Sequence, residues 1–113
     1  MEERIGEEKR PTLALQGPRL TVILAYDAEE DMVCAFCPEL DLVTELPTEQ
    51  EALEDLLEAM RDYAEGYEAE LELYRKSPNR GHHWPYVQAI LQAQDEWDLK
   101  ALLDVRYGTL QFR

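Results

Sequence analysis

Basic residues are scarce in this chain: 11 lysines and arginines stand against 25 aspartates and glutamates in 113 residues, a net charge of -14. A field of that sign repels phosphate, so direct contact with nucleic acid or an anionic membrane is not expected, whereas a basic protein would be drawn in. Long apolar runs are missing as well, and nothing approaches the roughly 18 consecutive apolar residues that cross a bilayer. The charged start Met1-Glu2-Glu3-Arg4 does not read as a secretory signal, so the expected location is cytoplasmic. Only two cysteines occur, Cys34 and Cys37. Three apart on one predicted strand, they point to opposite faces, cannot easily form a bridge and are expected to stay reduced. There is no glycine-rich phosphate loop and no serine nucleophile motif, which leaves nucleotide-dependent or hydrolytic catalysis without support.

What is present is unevenly spread. Residues 27 to 76 hold 17 acids against three bases and so carry the whole net charge, while the remainder is balanced. The length suits one domain with a single core and no disulfide staples. Residues 1 to 10 form a charged tail, and residues 11 to 113 are expected to be that domain.

Leu20 to Tyr26 is rich in β-branched and aromatic residues, Asp27 to Asp31 is polar enough to turn the chain, and Met32 to Cys37 runs apolar again. Two adjacent antiparallel strands follow from this order. Pro38 has no N–H for a ladder, so the second strand ends near it and Leu40 to Leu46 returns as a third. Thr48 and Glu51 then match a capping box. Beyond it Leu53, Leu56, Leu57, Met60, Tyr63, Ala64, Tyr67, Leu71 and Tyr74 draw one apolar stripe along a long helix. Gly66 is its one weak point, costing about 1 kcal/mol. Glu54, Asp55, Glu58, Asp62 and Glu65 fall off the stripe, face outward, and are the candidate partner-binding residues.

The flanks are less regular. Thr12 to Gln16 reads as a short edge strand, followed by a turn at Gln16-Gly17-Pro18-Arg19, and Lys76 to Gly81 reads as a loop. Val87, Ile90, Leu91, Gln94, Trp97, Ala101, Leu102 and Val105 are spaced for a second helix that starts near Pro85, with room for a break near Asp95. Arg106 to Phe112 is a final strand candidate, free to pair at a sheet edge or with another subunit. The fold class is therefore α+β: a small, mainly antiparallel sheet in a βββα core, one long amphipathic helix packed on it, and a C-terminal helix and strand. The large apolar groups Tyr63, Tyr67, Tyr74, Trp84, Trp97 and Tyr107, with an unpaired last strand, predict a homo-oligomer, a dimer or dimer of dimers.

Cys37-Pro38-Glu39-Leu40 after the second strand and Thr48-Glu49-Gln50-Glu51-Ala52-Leu53 at the helix start, continued by Glu58-Ala59, form an ordered pattern. Over about residues 20 to 75 it resembles the HicB-like antitoxin family. The resemblance implies a partial ribonuclease-H-like βββα core with a further strand beside the first. It also implies a role in binding and silencing a small basic HicA-type toxin that cleaves mRNA. Where that family usually turns with Pro-Gly, this chain has Asp41-Leu42, so the connection into the third strand must be built differently. Residues 77 to 113 carry four bases and four acids and run helix then strand, the wrong order and charge for a ribbon-helix-helix DNA-binding module. A stand-alone oligomeric member without a toxin is the alternative.

A metal-dependent nuclease of ribonuclease-H type is a second alternative, but it needs carboxylates converging on the sheet, one of them usually in the first strand. Leu20 to Tyr26 has none. Asp27, Glu51 and Glu54 are accounted for by turn chemistry and capping. Cys34, Cys37, His82 and His83 have the right atoms for zinc, yet the cysteines diverge and adjacent histidines seldom share one metal. Arg80-Gly81-His82-His83-Trp84 offers a titratable histidine and a stacking ring, and is read as an ordinary loop whose tryptophan plugs the core. No catalytic residue, metal or cofactor is expected.

Overall fold

The computed structural model describes residues 17–110, so the residues 1–10 tail and the Thr12–Gln16 strand lie outside it. The first strand, β1 (Leu20–Asp27), pairs antiparallel with β2 (Met32–Cys37), which pairs antiparallel with β3 (Leu42–Leu46). Asp27 holds the first turn by accepting from the N–H groups of Glu29 at 3.0 Å and Glu30 at 3.3 Å. Asp41 takes φ 57°, a left-handed conformation that aspartate tolerates better than most residues, and so turns the chain at Asp41-Leu42, where the HicB pattern has Pro-Gly. Beyond the end of the β1–β2 ladder, the Glu39 carboxylate accepts from the Thr21 N–H at 2.9 Å and from its hydroxyl at 2.7 Å. Cys37 and Leu40 are buried. The Cys-Pro-Glu-Leu segment thus ends one strand, pins its neighbour and fills the core.

The long helix, α1 (Glu49–Ala69), begins as expected. The Thr48 hydroxyl oxygen accepts from the Glu51 N–H at 3.1 Å, while its own proton goes to the Glu51 carboxylate at 3.0 Å. It does not run on to Tyr74. Gly66 stays helical and the break falls at Glu70, whose N–H is shared between the carbonyls of Gly66 and Tyr67; α2 (Leu71–Arg75) restarts in a new direction. That bend stacks Tyr74 on Tyr67, with ring centroids 5.2 Å apart.

The expected second helix is two. After a 3-10 turn at Gly81–His83, α3 (Trp84–Gln92) has Pro85 in its first turn, and Asp95 then caps a short α4 (Glu96–Lys100) through the Asp98 N–H at 2.8 Å. Leu102 and Val105 do not continue it, because β4 starts at Leu103 and runs to Thr109. This strand pairs in parallel with β1, from Leu20↔Leu103 to Tyr26↔Thr109, giving the order β3-β2-β1-β4. A parallel neighbour needs a long crossover, which the helices supply. Arg19 fastens it by donating to the carbonyls of Ala101 and Leu103, both at 2.6 Å. The sheet is therefore mixed, and the premise of an unpaired last strand is wrong: β1 already occupies one side of β4.

The core lies between one sheet face and the helices. Leu20, Val22, Leu24, Ala35 and Cys37 meet Leu56, Leu57, Met60, Ala64 and Tyr67 of α1, joined by Val87, Ile90, Leu99 and Leu103. Among the described residues, no helix is long and apolar enough to cross a membrane.

Candidate partner-binding surface

Glu54, Asp55, Glu58, Asp62 and Glu65 are all exposed, since helical spacing carries them away from the buried stripe. Two contacts fix what lies beside them. The Tyr107 hydroxyl donates to the Glu49 carboxylate at 2.7 Å, joining β4 to the start of α1. Further along, Glu54, Leu57, Glu58 and Arg61 share a surface cavity of about 300 Å³ with Glu96 of α4. The flank of α1 bearing Glu54, Leu57, Glu58 and Arg61 therefore looks across at α4, while Asp55 and Asp62, on the far side of Glu58, look away.

The second half of α1 carries aromatics that seal rather than open. Tyr67 is enclosed by Tyr74 and by Trp84, whose ring lies 5.8 Å away and nearly parallel, and its hydroxyl donates to the Arg80 carbonyl at 2.9 Å. The Arg80 guanidinium sits over the rings of Tyr63 and Tyr74, and that of Arg75 over Trp84. His83 is 2% exposed, with Nδ1 2.6 Å from the Tyr63 hydroxyl. Burial, then the neighbouring His82 and Arg80, hold its pKa below the ordinary 6.5, against a smaller upward pull from Asp41. The Arg80 to Trp84 segment thus packs into the aromatic cluster, with Trp84 opening a helix instead of sitting in a loop and the buried His83 Nε2 left without a hydrogen-bond partner.

The remaining candidates are also engaged. Cys37 faces the core, where burial pushes its thiol up to about 11, and Cys34 lies on the opposite sheet face. A thiol held so high carries almost no thiolate near neutrality. Asp27 belongs to its turn, Glu51 to its cap, and Glu54 accepts from Gln50 at 3.2 Å. Among the described residues, no three His, Cys, Asp or Glu side chains gather closely enough to hold a metal ion.

Residues 11–105 match the model of a family described as the antitoxin of RelE/RelB toxin–antitoxin systems. The chain belongs to that antitoxin family. Its fold is similar to the crystal structure of the antitoxin part of a proposed toxin/antitoxin system from Syntrophomonas wolfei subsp. wolfei, with TM-score 0.71 and 23% identity over 80% of this chain. The match spans 64% of that protein's chain. No curated protein matches.

For this antitoxin, sequence spacing found the exposed carboxylates but missed Glu96, which shares their cavity, and the Glu49–Tyr107 contact at the start of α1. Val105 had been placed on a helix. Tyr107 falls in the strand candidate Arg106 to Phe112, which starts three residues later than β4 does. The alternation Leu103, Val105, Tyr107 was the signal available, and it competes with an equally good helical spacing through Leu102 and Val105.

Proposed function

We propose that this antitoxin binds and occludes a small basic toxin, of the mRNA-cleaving HicA kind implied by the pattern over residues 20 to 75, through Glu54, Asp55, Glu58, Asp62 and Glu65. The observation that carries the reading is that these acids lie in the segment holding the whole net charge and all face solvent. A further strand beside β1 also agrees with what the HicB resemblance implies. The mode of action is contact rather than catalysis: the one carboxylate of β1, Asp27, is its last residue and is committed to the turn, and Glu51 is committed to the helix cap. The acidic field also disfavours duplex DNA at physiological salt. Residues 11–113 act as one domain, and self-association rests on the exposed Val43, Leu73 and Trp97 instead of on the last strand.

The test is genetic and then physical. A short lysine-rich protein encoded beside this chain should arrest growth when expressed alone, and co-expression of the antitoxin should restore growth. Light scattering should then find the two in one complex and the antitoxin alone at the mass of a dimer or a multiple of it. Failure to rescue, or the absence of such a neighbour, would overturn the toxin reading in favour of a stand-alone protein. A monomer mass at high concentration would remove the oligomer.

A further inference from the structure

A second surface cavity, of about 310 Å³, lies where the β2–β3 turn meets α1 and the loop before α3. The turn contributes Leu40, Asp41 and Leu42, while the helix and the loop contribute Tyr63, Asn79, Arg80 and His83. The loop is held firmly. The Arg80 carbonyl accepts from the Tyr67 hydroxyl at 2.9 Å and from the His83 N–H at 3.0 Å, and the Arg80 N–H donates to the Ser77 carbonyl at 3.3 Å. The Arg80 guanidinium lies over the Tyr63 ring at 5.7 Å and the Tyr74 ring at 5.4 Å. Gly81 permits this path, since a Cβ there would stand 2.6 Å from the Arg75 carbonyl oxygen.

Among the described residues, His83 Nε2 is the one buried side-chain nitrogen or oxygen without a hydrogen-bond partner, and its ring, 2% exposed, lines this cavity. The other ring nitrogen sets the tautomer. Nδ1 is 2.6 Å from the Tyr63 hydroxyl, on whose oxygen the positive charge of Arg80 acts. That oxygen turns its lone pairs to the cation and gives its proton to Nδ1, which leaves the ring's hydrogen on Nε2. A buried N–H without an acceptor is costly, and a ligand oxygen relieves it. Arg80 and Asp41 both line the cavity, yet no salt bridge joins them. A lone carboxylate would meet the like charge of Asp41, and a lone amine that of Arg80; a small zwitterion satisfies both. We infer that the cavity binds a free α-amino acid with an apolar side chain. Its carboxylate accepts from His83 Nε2 and Arg80, its ammonium faces Asp41, and its side chain rests on Leu40 and Leu42. This site goes beyond the toxin-binding function and does not depend on it.

Nitrogen-15 NMR of the labelled protein, titrated with L-alanine, L-valine and L-leucine, tests it. At least one of the three should move the His83 Nε2 signal saturably, with a Kd of about 1 mM or tighter. Isovalerate and isobutylamine are valine without its ammonium and without its carboxylate. Each should bind at least about tenfold more weakly than the tightest amino acid, because each forfeits one charge-assisted contact. Arg80→Met keeps the backbone carbonyl contacts, and Asp41→Asn keeps a residue suited to the left-handed turn. Both should retain the folded spectrum and lose at least about tenfold in affinity. No movement up to about 10 mM, movement that spares His83 Nε2, or isovalerate binding as tightly as the best amino acid would overturn the site. So would unchanged affinity in either variant. The ligand series on the wild-type protein decides the matter even where a variant fails to fold.

Discussion

The two halves of α1 use charge in opposite ways. In the second half, Tyr63 and Tyr67 are walled in by Tyr74, Trp84 and His83, and the guanidinium groups of Arg75 and Arg80 lie over the rings. In the first half, Glu54 and Glu58 line an open surface cavity with Leu57, Arg61 and Glu96. Two of the few cations in residues 27–80 are thus held on aromatic faces at one end, which leaves the acids at the other end largely unneutralised. Both halves bury apolar residues against the sheet, but only the first leaves its charges open to a partner.

The sharpest way to break this contrast is to open the sealed half. Tyr67 is 1% exposed, stacked on both faces and hydrogen-bonded. Tyr67→Ala should cost about 3–5 kcal/mol, a value in the range of large aromatic truncations, measured by urea unfolding. A loss under 1 kcal/mol would mean that the cluster is ornamental.

A smaller effect comes from His83. Its folded pKa is held below 6.5, so between the two values the unfolded chain binds more protons than the folded one. Stability should therefore be full above the unfolded pKa and fall as pH drops through about 6.5 toward the lower folded value. The groups facing this imidazole are Tyr63, Arg80, His82 and Asp41, and the sign holds because burial outweighs the pull of Asp41. Unfolding curves for wild type and His83→Gln should diverge less at pH 5 than at pH 7. An unchanged gap would assign the acid sensitivity to the carboxylates.

Much of the first half was legible in sequence. The strand order, Pro38 as a stop and the Thr48 cap are local features, and each appears where the residues put it. What escaped is non-local. Glu70 rather than Gly66 ends α1, because the break lets Tyr74 fold back on Tyr67, a gain that no propensity encodes. Leu102 and Val105 satisfy helical spacing as well as strand alternation, and only pairing with β1, more than 80 residues upstream at the Arg19 contact, decides between them.

The central claim, that the open half of α1 recruits a basic toxin, is tested most directly by stopped-flow association at low salt. The antitoxin and its lysine-rich neighbour would be compared for wild type and a Glu54→Lys/Glu58→Lys/Asp62→Lys variant. These positions are exposed, so the fold should change in stability by no more than about 0.5 kcal/mol per site. The on-rate of the variant should fall roughly tenfold or more, and the gap should close as salt is raised, because steering charges act mainly on encounter. Equal on-rates for the two proteins at low salt would contradict it and leave the acidic helix as a merely solvated surface.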